Sequence, residues 1–309
     1  MLNYTFFYGL GDLELNKYWG VAIATYLFLG GLAGGMYIAG YFAHLYRNRN
    51  EVLSEISKFG IYLSGIILIL GLLSLIYDHP NVLIAVINPT LFRNLGSWLA
   101  VGSWIILFFL VIWFGLLLEY FKKLKLPERL KLAVMSVNAF LAFMVILYTA
   151  LLLRGAEFVP MWKSNALPAL FVVSGVSTGI AICTIYGALR VKKAEKKFKL
   201  ADSALILIEI VLILYFISEL SSMSNLTNYP SFSVAAAKTL DLILQGEYSG
   251  LFIYGFVGFG LIFPLLLYAL SILKKSLVAD LISGLSVIAG GYIFRLIVVA
   301  AAAKALVFP

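Results

Sequence analysis

The sequence predicts an all-α, polytopic integral membrane protein of eight transmembrane helices with both termini outside. Three observations lead there. The 309 residues are 62% hydrophobic and only 12% charged, and their mean hydropathy is +1.01, a composition that ordinary soluble domains do not reach. The apolar runs approach or exceed the ~20 residues a helix needs to cross a bilayer, twice the length of a barrel strand. Finally, basic residues crowd into alternate connections, as the positive-inside rule requires of a multi-pass chain. No segment between the runs is long enough to bury a core of its own. Residues 1–309 therefore read as a single transmembrane domain, and any soluble catalytic machinery belongs to another chain.

The predicted spans are Tyr18–His44, Ser57–Tyr77, Ser97–Tyr120, Leu132–Leu153, Leu167–Leu189, Ser203–Ser222, Gly250–Leu270 and Ala279–Ala303. Residues Met1 to Lys17 lack a basic start and a separate apolar core, so no cleavable signal peptide is expected and the first span serves as its own insertion signal. The run YWGVAIATYLFLGGLAGGMYIAG of the first span carries Gly30, Gly31, Gly34, Gly35 and Gly40. Gly34 and Gly35 follow Gly30 and Gly31 by four residues, which predicts one small-residue face against a neighbouring helix. Tyr18 and Trp19 suit the membrane interface. Tyr26 lies ~12 Å further in at 1.5 Å per residue, where its phenol needs a partner or a ligand.

The connections after odd-numbered spans are short and basic. They hold Arg47, Arg49 and Lys58; Lys122, Lys123, Lys125, Arg129 and Lys131; Arg190, Lys192, Lys193, Lys196, Lys197 and Lys199; and Lys274 with Lys275. These are most of the 23 Lys and Arg, and they make that face cytoplasmic. The basic run RVKKAEKK reads as a topology signal, and no nucleic-acid partner is expected. The opposite connections are longer, nearly neutral and rich in Asn, Pro and Ser, and one contains an amphipathic helix, Val234 to Leu244, that would lie on the surface or beneath a partner. Long ordered connections on one face commonly carry function, so the outer face reads as the docking surface.

Cys183 is the single cysteine and lies within a span. It rules out disulfides and any cluster or covalent haem held by this chain alone. His44 and His79 fall at opposite ends of the membrane and cannot clamp a haem between them. No haem or iron–sulfur cluster is therefore expected in this chain, and no metal site.

Ionisable residues inside membrane helices are costly and are functional candidates by default. Glu209 and Glu219 lie on the sixth span and Arg295 on the eighth. Counted from the predicted inner ends, Glu219 and Arg295 are each ~24 Å deep and Glu209 ~9 Å. One reading is an ion pair, Arg295 with Glu219, that fixes packing. The other is a proton path from Glu209 through Tyr215 and water to Glu219 near the outer side. A second polar set gathers at that side: Tyr26, then Tyr77, Asp78 and His79 after the second span, and Tyr148 with Arg154 on the fourth. A quinone headgroup needs hydrogen bonds at its two oxygens, a proton exchanger and apolar walls, and Tyr, His and Asp supply these in an apolar bundle. An interfacial aromatic belt accounts equally for some of the tyrosines, Tyr77 first.

The residues also resemble a known family. YLFLGGLAGG in the first span is similar to the opening helix of the membrane subunit of polysulfide reductase, the NrfD/PsrC family. DHP followed by GSWLAVGSW, then YTALLL with VPMWKSNALPALFVVSGVSTGIA, and finally GGYIFRLIVVAAA resemble its later helices in the same order. The resemblance implies a quinone-binding anchor in the cell (cytoplasmic) membrane, holding a menaquinone-like quinone and no cofactor of its own. It implies two partners on the outer face: a four-cluster iron–sulfur subunit, and a molybdopterin (Mo/W) catalytic subunit bound to it. Tyr148 matches the family's quinone-site tyrosine, and Asp78 matches an acidic position. Tyr26 stands where the polysulfide reductase subunit carries a histidine, a departure that bears on proton exchange. Glu209, Tyr215, Glu219 and Arg295 resemble the polar relay proposed for the family. The alternative expectation is a proton- or ion-translocating subunit, or a bare anchor, that exchanges no quinone.

Overall fold

The computed structural model describes residues 20–78, 98–156, 158–192, 195–274 and 276–305. Among these, eight helices are long and apolar enough to span a membrane. We label them α1 (Val21–Leu45), α2 (Glu51–Asp78), α3 (Trp98–Tyr120), α4 (Glu128–Arg154), α5 (Ala166–Val191), α6 (Lys196–Ser224), α7 (Leu251–Lys274) and α8 (Leu277–Ala305). A single turn, Pro160–Lys163, precedes α5, and the expected amphipathic helix is present as Pro230–Leu244. The described residues contain no strand.

The sequence places the spans correctly but trims several basic ends. Four begin earlier than expected: α2 at Glu51, α4 at Glu128, α6 at Lys196 and α8 at Leu277. For α4 and α6 the physical reason is shared. Apolarity marks only the part of a helix inside hydrocarbon, and a helix continues past it while its backbone hydrogen bonds remain intact. The extra residues are mostly polar there, KKFKLAD in α6; α2 gains the mixed EVLSEI, and α8 only the apolar Leu277 and Val278. The first half of α7, Leu251–Ile262, is wound as a π-helix, a wider turn often found near functional sites.

The chain packs as two groups of four. Within α1–α4, α1 packs on α2 and α4, and α3 on α2 and α4; within α5–α8, α5 packs on α6 and α8, and α7 on α6 and α8. α1 and α5 join the groups, and α1 also reaches α8. Consequently α1, α5 and α8 are the most buried spans, while α3, α4 and α6 turn much of their surface outward. The α1 glycines serve this seam on three faces rather than the single face expected. A Cβ at Gly34 would stand 2.6 Å from Ala142 O of α4, and one at Gly35 would stand 1.9 Å from Gly175 O of α5. At Gly40 it would meet Ile61 N of α2 at 2.8 Å. Consecutive residues are separated by ~100° around a helix, so adjacent glycines meet different neighbours.

Candidate functional site

Two buried centres lie on either side of the α1 seam. The first is at the end of the bundle away from the basic connections. Tyr26 on α1 and Tyr148 on α4 are 1% and 2% exposed. The Tyr26 hydroxyl donates to the Tyr148 oxygen at 3.4 Å, longer than the ~2.5–3.0 Å usual between oxygens. Two neighbours shape this pocket by being small. A Cβ at Gly102 of α3 would fall 1.8 Å from Tyr148 Cε2, so only glycine admits the Tyr148 ring there. Gly71 of α2 lies against Leu29 and Tyr26. Between them the phenols have two protons, and their mutual bond uses one. The other finds no acceptor among the described residues.

Asp78 is the last residue of α2. Its side chain lies outside the described residues, as do His79, Tyr18, Trp19 and the connection 79–97. Tyr77, the belt candidate, is 87% exposed, as an interfacial residue should be.

Arg295, Glu209 and Glu219 are not arranged as the sequence suggested. Arg295 does not pair with Glu219. Its Nη1 donates to Ser174 Oγ at 2.5 Å and its Nη2 to Phe171 O at 3.1 Å. Its guanidinium carbon also sits 4.7 Å from the Phe171 ring centroid, a cation–π contact strengthened by burial. The carboxylate that faces Arg295 and Ser174 is Glu209. Depth alone does not decide this: counted from the observed helix starts, Glu209 is ~20 Å and Glu219 ~35 Å along α6, and Arg295 is ~27 Å along α8. Packing on α5 decides it, because Ser174 and Phe171 hold the guanidinium while Glu219 is held at the start of α5.

Glu219 instead secures the far end of the fold. It accepts hydrogen bonds from Ser164 Oγ at 2.6 Å, Asn165 Nδ2 at 2.9 Å, the Ala166 amide at 3.1 Å and the Tyr215 hydroxyl at 3.2 Å. A carboxylate at the start of α5 completes otherwise unpaired amides and complements the helix dipole. Arg154 joins through Asn165 Oδ1 at 2.8 Å, so this cluster also anchors the end of the helix that carries Tyr148. Tyr215 is 51% exposed, whereas Glu209 is 2% exposed. The structure therefore does not place Tyr215 between the two glutamates.

The sequence reading missed a longer polar track in α5–α8. At its basic end, Lys199 Nζ lies 3.1 Å from Asp280 Oδ1 and donates to Ser271 Oγ at 3.0 Å, while Ser271 donates to Asp280. One turn further on α6, Asp202 accepts from Ser177 Oγ at 2.5 Å, with Tyr268 close by. Two turns beyond Asp202 come Glu209, Ser174 and Arg295. Five charged residues of this track, Lys199, Asp202, Glu209, Asp280 and Arg295, are at most 5% exposed. Along it, Asp202 Oδ2, the Tyr268 hydroxyl, Glu209 Oε1 and Arg295 Nε are buried with no hydrogen-bond partner of good geometry among the described residues, Asp202 and Tyr268 lying close to each other. A signal was available: Asp202 and Glu209 are seven residues apart, which puts them on one face of a helix. It was lost because the predicted sixth span began at Ser203. The two centres are near each other, since a Cβ at Gly31 would sit 3.5 Å from Arg295 Nη2 and Tyr26 is five residues, ~7.5 Å, earlier on α1.

An eight-span bundle with a phenol pair on one side of its seam and a charged track on the other belongs to the class of polytopic membrane proteins with buried polar groups. The family is specific. Residues 13–306 match the model of the polysulphide reductase NrfD family, and the chain belongs to it. It is a membrane subunit of the polysulfide-reductase type, made to work within a multi-subunit complex. No curated protein matches the chain.

Proposed function

We propose that this chain is the quinone-binding membrane subunit of a sulfur- or polysulfide-reductase-like respiratory complex, seated in the cytoplasmic membrane with its basic end inward. The observation that carries the reading is the Tyr26–Tyr148 pair: two buried phenols, loosely bonded to each other, with one proton that no described residue accepts. A quinone carbonyl is such an acceptor, and the surrounding helices supply apolar walls. The fit is chemical: phenols donate to a carbonyl oxygen and exclude water, and Tyr26 is placed to orient Tyr148. A menaquinone-like quinone would supply the two-electron chemistry. Asp78 or His79 is the proposed proton exchanger with bulk water on that side, because a phenol gives up its proton poorly near neutral pH. Electrons would pass to a four-cluster iron–sulfur subunit on the outer face, joined there to a molybdopterin (Mo/W) catalytic subunit.

The test is the intact complex in mild detergent, followed by lipid mass spectrometry and a quinol-linked turnover assay. We expect a stoichiometric quinone, and quinol-linked turnover that collapses in Tyr148→Phe while the complex stays assembled. Unchanged turnover in that variant overturns the reading.

A second reading adds proton movement, and the charged track favours it. Buried polar atoms without partners are rare in proteins and call for water. Four of them follow one another from Asp202 to Arg295. In this reading a proton enters near Lys199 and Asp280, passes Asp202 and water, and reaches Glu209, which Arg295 holds in place. Glu219 and Tyr215 serve the far-end cluster instead. Translocation without quinone exchange would leave turnover indifferent to Tyr148→Phe but sensitive to Asp202→Asn.

A further inference from the structure

We propose that the basic end of the seam between α1, α2, α5 and α6 binds an anionic phospholipid, with the phosphate held by Arg49 and Lys197 and one acyl chain in the groove beneath them. A cavity of about 540 Å³ lies there, within the roughly 300–1,000 Å³ range of small-molecule sites. Two helical stripes build it. On α1 and the turn after it, Ile38, Phe42 and Tyr46 follow at intervals of four residues; on α6, Leu205, Ala201 and Lys197 do the same in the opposite sense. Residues four apart share a helix face. Each stripe therefore runs from an apolar residue in the membrane to an aromatic or cationic one at its edge, over ~12 Å. The polarity of a phospholipid runs the same way.

The rim shows why the ligand should be an anion. Arg49 stands with its guanidinium carbon 4.9 Å from the Tyr46 ring centroid, and Lys197 Nζ stands 5.7 Å from the same centroid. Both cations are exposed, and among the described residues neither has a carboxylate partner. The rim carboxylate, Glu195, accepts from Asn50 Nδ2 at 2.7 Å, which holds it on the connection between α1 and α2. Two cations against one carboxylate leave the rim positive, and basic pockets between membrane helices suit anionic headgroups. Ala39, Ala201 and Ala204 leave the hollow that larger residues would fill.

The test uses the full chain in mild detergent, offered equal amounts of dioleoyl phosphatidylglycerol and dioleoyl phosphatidylcholine and read by native mass spectrometry. The expected result is a preference for phosphatidylglycerol of about thirtyfold, at ~1 kcal/mol for each of two surface cations. Arg49→Gln with Lys197→Gln should reduce it to near parity. Lys122→Gln with Lys123→Gln, on another basic connection, should leave it in place. Ala204→Phe fills the groove from an exposed position and should lower lipid retention with both cations intact. Three results would each overturn the site: preference unaffected by the Arg49/Lys197 pair, preference lost equally in the Lys122/Lys123 pair, or retention indifferent to Ala204→Phe. Displacement of the lipid by millimolar inorganic phosphate alone would mark a free-anion site and would also overturn it. The cavity is at the opposite end from the phenols, so none of these outcomes depends on quinone binding.

Discussion

The two four-helix groups solve different problems with the same apolar material. Among their described residues, α1–α4 carry charges only near helix ends, and the buried polar groups deeper in are neutral, among them Tyr26, Tyr37, Ser64, Asn138, Tyr148 and Thr149. In α5–α8 five charged side chains are buried, and each carboxylate has a hydroxyl or cation beside it. A neutral donor costs little to bury and remains available to a ligand, whereas an isolated charge in low dielectric must be compensated. The first group is thus suited to holding a neutral molecule, and the second to holding or moving charge. The seam glycines bring the two within reach of each other along α1.

The sharpest way to break this contrast is to remove the cation on the charged side. Arg295→Met should destabilise the protein by about 3–5 kcal/mol, the usual consequence of leaving a buried charge unpaired. Thermal unfolding in a fixed detergent checks it, and Glu209→Gln in the same background should recover part of the loss. On the neutral side, Tyr148→Phe should leave stability nearly unchanged and lower quinol-linked turnover by about a hundredfold, about 2.7 kcal/mol on the barrier. If the two variants instead produce the same kind of defect, the groups do not divide their work.

Smaller effects sharpen the comparison. Glu219→Ala should cost about 1–2 kcal/mol, as the loss of a helix cap does, with unfolding as the readout. Asp202→Asn should slow proton uptake by reconstituted complex about tenfold, about 1.4 kcal/mol, without altering the apparent affinity for quinol. Tyr215→Phe should fall within about 0.5 kcal/mol of the parent, because the ring faces outward and Glu219 keeps its other donors. A large effect of Tyr215→Phe on proton uptake would restore the path through both glutamates.

Much of this architecture was legible before any coordinates. Eight spans follow from hydropathy because each helix must satisfy its own backbone inside lipid, and the helix Pro230–Leu244 was visible from Val234 onward in its amphipathic pattern. The candidate residues were legible by type: a tyrosine or an arginine far inside an apolar run needs a reason to be there. Their partners were not. Glu209 rather than Glu219 faces Arg295 because Ser174 and Phe171 of α5 hold the guanidinium while the start of α5 holds Glu219, and hydropathy is blind to such contacts. Lys199 read as part of an inner connection and Asp280 as the unremarked start of the eighth span until packing brought them together with Ser271.

The sequence by itself determined the class of protein, the number of spans, the basic face and the family resemblance, because these depend on composition and local order along the chain. The tertiary structure decided which helices share a seam, which glycines face which neighbour, that Tyr26 meets Tyr148, and that the buried charges form one track in the second group. Those are contacts between residues up to more than a hundred positions apart, 122 for the two phenols. They are set by how helices rotate and slide against one another, and no local pattern encodes that directly.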